Sequence, residues 1–196
     1  MTTRGGHQGP NDLIERLDPI CWLMNQEALA LRGDPGTCIL SAGALRDALR
    51  IIGHEAEVLR VEVSVHLQSG SRDQYGCVLG LIGGDGPRRA AKPGMWKGHL
   101  VTIAEGLVLL DPTLPQVNVG HPWLAAEPMT VPVTPAFLAG TETFRVPTGS
   151  AGATASYWAF PARGGWKHAP DFRPSRRREL ADRVLLGLYQ SKRGQR

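Results

Sequence analysis

Residues 98–113, GHLVTIAEGLVLLDPT, contain the pattern that decides the fold. Two apolar runs flank Glu105-Gly106, a dipeptide suited to a tight turn. The pattern predicts an antiparallel hairpin in which one strand opens at His99 and the next ends in Asp111. These two residues are twelve apart and the turn falls about midway between them, so we expect their side chains to come out close together across the hairpin.

Upstream of the hairpin, the apolar spacing over residues 37–52 predicts a helix that begins beside Cys38 and is terminated by Gly53. A helix N-terminus has backbone N–H groups without helical partners and a partial positive charge. Both favour a thiolate, and the same N–H groups can stabilise a developing oxyanion. Cys38, His99 and Asp111 therefore have the chemistry of a nucleophile, a base and a group that orients the base.

The remaining sequence predicts helices and strands around this pair of elements. Apolar residues at three- and four-residue steps predict helices over 11–31 and 175–189. Strands are predicted over 57–67, 75–82, 99–104 and 107–110. The predicted N-caps of the three helices are Asn11, Thr37 and Ser175.

After Asp111 the prolines crowd together, which predicts irregular structure with room for one more short strand. Residues 149–155 are small and predict a loop. The fold class that follows is α+β, with the nucleophile helix packed on an antiparallel sheet and a helix at the C-terminal end.

Length and charge divide the chain into three parts. Its 196 residues with 42% hydrophobic content suit one globular domain, and 24 Gly with 15 Pro argue against a helical bundle. We expect a disordered leader over 1–10, the domain over 11–172 and a basic helix and tail over 173–196. The last part carries eight Lys or Arg and two Asp or Glu, a charge of +6 within a net charge of +4.

The sequence also predicts the compartment. The polar, Gly-rich start has no apolar core of a secretory signal, and no stretch approaches the roughly 20 apolar residues of a membrane span. Three cysteines without a C-x-x-C pair favour neither a disulfide framework nor a thiolate zinc site. We expect a cytoplasmic protein with no membrane partner.

The motifs together resemble the transglutaminase-like superfamily of papain-type cysteine enzymes. The resemblance runs through Gly36-Thr37-Cys38, the segment 49–58 with its Gly53-x-x-Ala56 link, residues 98–103 and residues 109–113. In that superfamily a Cys begins a helix that leads into the first strand, a His begins one strand and an Asp ends the next. Arylamine N-acetyltransferases share this layout, although their Arg-Gly-Gly sequence before the nucleophile has no counterpart here.

The resemblance implies that Cys38 is the nucleophile, His99 the base and Asp111 the orienting group of a thiol acyl-transfer enzyme. Such an enzyme works through a thioester on a peptide, a protein or a small amide substrate, and needs no cofactor. Whether water or an amine takes the acyl group stays open. Gln116, five residues beyond Asp111, is a further candidate for the catalytic site as a hydrogen-bond donor. Rival oxyanion donors are Trp22, Asn25 and Gln26.

Two alternatives to an enzyme remain. The chain can be an inactive binding module that retains the fold, with Cys38 as a small core residue. Nucleic-acid binding through Arg176-Arg177-Arg178 is the less favoured option, because a solvated basic helix face explains the same residues. The oligomeric state is left open by the sequence.

Other reactive or aromatic residues have simpler interpretations. Cys21 and Cys77 lie on apolar faces and are predicted core residues. His66 and His121 are alternative bases, whereas His54 suits a helix end and His168 a structural loop. An aromatic-rich segment is expected to seal the core or to line a substrate cleft: Tyr157, Trp158, Phe160, Trp166 and Phe172.

Overall fold

An antiparallel sheet with helices on one face forms the framework of the protein. The computed structural model describes residues 9–32, 38–69, 72–80, 98–149, 152–161, 166–168 and 173–194. The α-helices in these ranges are α1 (Pro10–Arg32), α2 (Cys38–Ile51), the single turn α3 (Pro135–Leu138) and α4 (Pro174–Gly194). The strands are β1 (Ala56–Ser69), β2 (Arg72–Leu79), β3 (His99–Ala104), β4 (Val108–Asp111), β5 (Met129–Pro132), β6 (Thr143–Pro147) and β7 (Ala153–Ala159). Short 3₁₀ helices span Leu114–Val119, Pro122–Leu124 and Trp166–His168.

The long strand β1 organises the sheet, whose order is β5-β4-β3-β1-β7-β6. Along one edge β1 pairs first with β3 and then with β2, and along its other edge it pairs with β7. A register shift between Val65 and His66 interrupts the β1–β2 ladder, and such irregularities increase local twist. The sheet is curled: the hydroxyl of Tyr157 on β7 reaches Asp111 on β4, although β1 and β3 lie between those strands.

The two faces of the sheet bury different cores. Helices α1, α2 and α4 pack on one face, where their apolar residues meet β3 and β4 side chains such as Ala104 and Leu110. The other face lines the inside of the curl, and β1 contributes four alternate residues to it: Leu59, Val61, Val63 and Val65. The strand predicted over 57–67 is confirmed as part of β1. The strand residues His99 and Asp111 follow the alternation of Val101 and Leu109, so they belong to the inside of the curl.

The predicted helices and the hairpin are confirmed, with shifted ends. The helix α1 runs through Pro19 without a break and begins at Pro10, where a missing N–H costs nothing. Asn11 and Ser175 therefore lie inside the first turns of α1 and α4, and their prediction as N-caps is wrong. The predicted cap Thr37 and most of the predicted leader, residues 1–8, lie outside the described residues.

The prediction for the segment between Asp111 and α4 is wrong in its number of strands. Instead of one short strand after Asp111, the described residues contain three: β5, β6 and β7. Most of the predicted loop 149–155 lies outside β7, but its end belongs to that strand, which pairs with β1 over seven residues. The edge strands β5 and β6 end in Pro132 and Pro147, positions where a missing N–H interrupts no inner ladder.

The basic C-terminal segment is part of the folded body. Leu180, Ala181 and Val184 of α4 are buried in the core formed with α1 and α2. The guanidinium Nε of Arg177 lies 2.7 Å from Asp47 Oδ2, which joins α4 to α2. No helix in the described ranges is both long and apolar enough to cross a membrane.

Replacement of Gly53 tests the turn that connects α2 to β1. Gly53 has a φ of +95°, as predicted for the residue that terminates this helix, and the His54 N–H bonds to the Leu49 carbonyl across it. The space around its Cα is open, so Gly53→Ala introduces backbone strain without a steric clash. We expect the free energy of unfolding in urea to fall by about 1 kcal/mol.

Gly120→Ala is the matched control for this prediction. Gly120 is also surrounded by open space, but its φ is −100°, which any residue adopts. We expect its free energy of unfolding to change by less than about 0.5 kcal/mol. Equal destabilisation by the two substitutions would contradict the assigned role of Gly53.

Candidate active site

The hairpin brings His99 and Asp111 together as predicted. Glu105 and Gly106 have φ values of 52° and 62°, and the Leu107 N–H bonds to the Ala104 carbonyl, so the strands are joined by a tight turn of the type that matches their twist. Thr102 pairs with Leu110 in the ladder. Continued by one residue, this register places Asp111 diagonally across from His99, within reach of a long side chain.

A short hydrogen bond joins the two side chains. His99 Nε2 lies 2.7 Å from Asp111 Oδ2, and both side chains are almost completely buried. Burial by itself lowers the pKa of His99, but the Asp111 carboxylate outweighs burial and, with a contribution from Cys38, raises the pKa from 6.5 to about 10. The imidazole is therefore held as a strong base whose charged form Asp111 stabilises.

The carboxylate of Asp111 is fixed by donors other than His99. Oδ1 accepts hydrogen bonds from the backbone N–H and the hydroxyl of Thr113, at 3.1 and 3.3 Å. Oδ2 accepts a bond from the Tyr157 hydroxyl at 3.2 Å, in addition to that from His99. Neither Thr113 nor Tyr157 was predicted from the sequence to be a hydrogen-bond partner of Asp111. The Asp-Pro-Thr run signals the Thr113 contact, since Asp often bonds to the backbone two residues on, whereas Tyr157 has no local signal.

Gln116 contacts the other nitrogen of the imidazole. Its Nε2 lies 2.9 Å from His99 Nδ1, and the 3₁₀ helix Leu114–Val119 holds it there. An amide N–H donates to the lone pair of neutral Nδ1, while Nε2–H donates to Asp111. In the charged imidazole Nδ1 carries a proton and needs an acceptor. A half-turn of the Gln116 amide supplies that acceptor as Oε1, so this residue can bond to either form.

Cys38 is the first residue of α2 and adjoins the same imidazole. Its thiol contributes to the raised pKa of His99, and its Sγ lies 3.9 Å from the carbonyl oxygen of Gly98. The Thr102 hydroxyl donates to the Ala42 carbonyl at 3.0 Å, which fixes α2 against β3 and so fixes Cys38 relative to His99. Only 9% of Cys38 is exposed, because it packs in a small apolar cluster with Trp166 and Leu100.

The rival oxyanion donors have other surroundings on helix α1. Asn25 is buried, and its Nδ2 donates to the Pro112 carbonyl at 2.7 Å. This bond anchors the chain immediately after Asp111 to helix α1. Trp22 and Gln26 lie on the exposed side of α1. Asn25 therefore stabilises the segment that follows Asp111, and the backbone N–H groups at the start of α2 have no helical partners.

Cys21, Cys77, His54 and His121 have partners other than the residues of this cluster. Cys21 is fully buried, its Sγ lies 3.5 Å from the Met129 carbonyl oxygen, and burial raises the pKa of its thiol strongly. Cys77 is half-buried against the core inside the curl. His54 bonds to Glu105 at 2.9 Å and His121 packs edge-on against Trp123. Cys21, Cys38 and Cys77, all within the described ranges, form no disulfide.

The aromatic-rich segment is divided between the core and the site. Tyr157 is buried inside the curl and bonds to Asp111, while Trp166 packs beside Cys38. Trp158 and Phe160 are half-buried, and Phe172 lies outside the described residues. The segment therefore contributes to sealing the core at one residue and to the surroundings of the thiol at another. Among the described side chains, no group of three His, Cys, Asp or Glu residues is placed to bind a metal ion.

Comparison with known proteins finds no match: no family model fits the sequence, and neither a curated protein nor a solved structure matches the chain.

The raised pKa of His99 predicts how stability depends on pH. A histidine whose pKa is higher in the folded state stabilises the protein fully below its unfolded pKa, and this contribution disappears as the pH rises through the folded value. We expect the free energy of unfolding to decrease by more than about 1 kcal/mol between pH 6.5 and about 10, because folding raises the pKa of His99 from the first value to the second. Urea denaturation at several pH values measures this decrease.

His99→Gln is the control, since it keeps a polar side chain that does not titrate. The variant is less stable than the wild type at pH 6.5, because Asp111 loses its charged partner, and its stability varies less up to pH 10. A decrease of the same size in the variant would show that other groups cause the pH dependence.

Proposed function

We propose that this chain is a thiol-dependent hydrolase or acyltransferase that acts on an amide or peptide bond. The observation that supports the proposal is the buried hydrogen bond between His99 and Asp111, with the thiol of Cys38, the first residue of α2, contributing to the raised pKa of the same imidazole. A nucleophile, a base and an orienting carboxylate are needed together for acyl transfer, and their meeting by packing alone is uncommon.

In the proposed reaction the proton of Cys38 resides on His99 Nδ1, and Asp111 stabilises the resulting imidazolium. The thiolate attacks the carbonyl carbon, a C–S bond forms, and the carbonyl oxygen becomes an oxyanion near the free N–H groups at the start of α2. His99 returns the proton to the leaving amine as the C–N bond breaks, which leaves a thioester. Water or a second amine then attacks the thioester and passes its proton to His99. The C–S bond breaks, which releases the acyl product and restores the thiolate beside the imidazolium.

The proposal includes the transglutaminase-like fold. A helix that starts with the cysteine packs on an antiparallel sheet, one strand opens with the histidine, and the next ends with the aspartate. The substrate would be a peptide, a protein or a small amide. A reactive thiol also needs a reducing compartment, so a cytoplasmic location belongs to the proposal.

A binding module without activity is the second candidate, and the burial of the site favours it. Cys38 is 9% exposed with Trp166 packed beside it, and His99 is fully buried. A carbonyl group must approach within about 3.5 Å of the sulfur for attack, which requires an opening at Cys38. Binding of nucleic acid through α4 gains no support, since Arg177 and Arg183 form ion pairs with acidic residues of the same chain.

Alkylation of the cysteines by iodoacetamide, with mass spectrometry to locate the label, tests the reactive thiol. At pH 6.5 we expect Cys38 to react at least about 10-fold faster than Cys77, because ordinary thiols are almost fully protonated at that pH. His99→Gln should slow the labelling of Cys38 by about 10-fold or more. The half-buried Cys77 is an internal control for solvent access.

Acyl transfer requires a second readout, for which p-nitrophenyl acetate is a suitable probe. Attack by Cys38 should release one equivalent of p-nitrophenolate in a burst and leave an acetyl thioester that mass spectrometry detects. Cys38→Ser should abolish the burst while the protein remains folded. Slow labelling of Cys38 with no burst would contradict the enzyme and favour the binding module.

A further inference from the structure

Tyr157 stands out among the residues around Asp111 because no step of the proposed reaction uses it. It is fully buried on β7, and its hydroxyl donates to Asp111 Oδ2 at 3.2 Å. His99 Nε2 donates to the same oxygen at 2.7 Å. Two donors from strands that are not neighbours in the sheet therefore share one carboxylate oxygen.

Stacked aromatic rings fix the position of the Tyr157 hydroxyl. The ring of Tyr157 stacks on Phe144 of β6, with centroids 5.0 Å apart and planes 13° from parallel. Phe144 in turn meets Phe137 of α3 edge-on at 4.7 Å. A buried, stacked phenol has little freedom to turn away from its acceptor, so the bond to Asp111 is maintained by packing.

A hydrogen bond from a neutral donor weakens a carboxylate as an acceptor for other donors. Each hydrogen bond that Asp111 accepts stabilises its negative charge. The carboxylate is then stabilised less by a neighbouring imidazolium. The phenol stays protonated, since burial and the Asp111 carboxylate raise the pKa of Tyr157 well above 10. Tyr157 is thus a donor to Asp111 at every pH at which the protein functions.

In the part of the chain that the structure describes, the titratable groups around Asp111 come from four elements. They are His99 of β3, Tyr157 of β7, Cys21 of α1 and Cys38 of α2. Cys21 is fully buried and burial keeps its thiol neutral. The negative charge of Asp111 is therefore balanced by His99, while Tyr157 donates a hydrogen bond to the carboxylate and stays neutral.

We propose that Tyr157 is a positioning residue that fixes the carboxylate of Asp111 and limits the proton affinity of His99 through the acceptor oxygen that Tyr157 and His99 share. The inference rests on the proposed function, since it assigns Tyr157 to the same site. A lower proton affinity makes the imidazolium a better acid toward the leaving amine, which is the step that a too-basic histidine would slow.

Titration of the His99 ring nitrogens by ¹⁵N NMR tests this inference. All proteins compared carry Cys38→Ala, so that the thiol does not titrate with the imidazole and the result does not depend on enzymatic activity. We expect Tyr157→Phe to raise the titration midpoint of His99 by roughly half a pH unit to one unit, because Asp111 becomes a better acceptor. An unchanged or lower midpoint would overturn the inference.

Two controls separate this effect from packing. Phe144→Leu disturbs the ring stack but keeps the hydroxyl, and Tyr189→Phe removes a hydroxyl from an exposed position on α4. Neither should move the midpoint as far as Tyr157→Phe does. An equal shift with Phe144→Leu would show a merely structural role.

Replacement of all three tyrosines by 3-fluorotyrosine provides a test that does not depend on the folding of Tyr157→Phe. The fluorinated phenol is a stronger donor of nearly the same shape, so the midpoint of His99 should fall instead of rise. A rise or no change would contradict the role of the hydroxyl. If the midpoints move as expected while wild-type Cys38 fails to react with iodoacetamide, the inference about Tyr157 holds and the proposed reaction does not.

Discussion

A carboxylate without solvent exposure must receive hydrogen bonds in place of water, or its burial would cost several kcal/mol. Asp111 meets this requirement with four donors: His99, Tyr157 and the backbone and hydroxyl of Thr113. They come from the neighbouring strand, from a strand on the other side of the curl and from the turn that follows β4. The position of Asp111 therefore ties together β3, β7 and the turn that follows β4.

The three residues of the candidate site lie on strands and on a helix. His99 and Asp111 are strand residues with fixed partners in the sheet, and Cys38 is a helix residue attached to β3 through the bond from Thr102 to Ala42. Asn25 of α1 secures the carbonyl that follows Asp111. Sites built on strands and helices keep their geometry better than sites on loops, and acyl transfer requires such precision.

The sequence predicted the parts of this arrangement that depend on neighbouring residues. The turn at Glu105-Gly106, the contact of His99 with Asp111 and the helix that begins at Cys38 all follow from turn chemistry and apolar periodicity over a few residues. The strands β5 to β7 were missed because their partners lie far away in sequence and their segments are rich in proline or small residues. Tyr157 was placed in an aromatic segment, but its bond spans 46 residues and depends on the curl of the sheet. No local pattern encodes such a contact.

The burial that strengthens this site also restricts it. Removal of water makes the attraction between Asp111 and His99 strong enough to outweigh the cost of burying the imidazole, and the result is a histidine that holds its proton tightly. Such a histidine favours a thiolate beside it but returns the proton reluctantly to a leaving group. The other hydrogen-bond donors to Asp111 lower the proton affinity of His99, since each reduces the stabilisation that the carboxylate gives to the imidazolium. In the proposed reaction, a site with His99 and Asp111 alone would form the thiolate at the expense of the later proton transfer, and the hydrogen bonds from the hydroxyls of Thr113 and Tyr157 would bring the two requirements closer together.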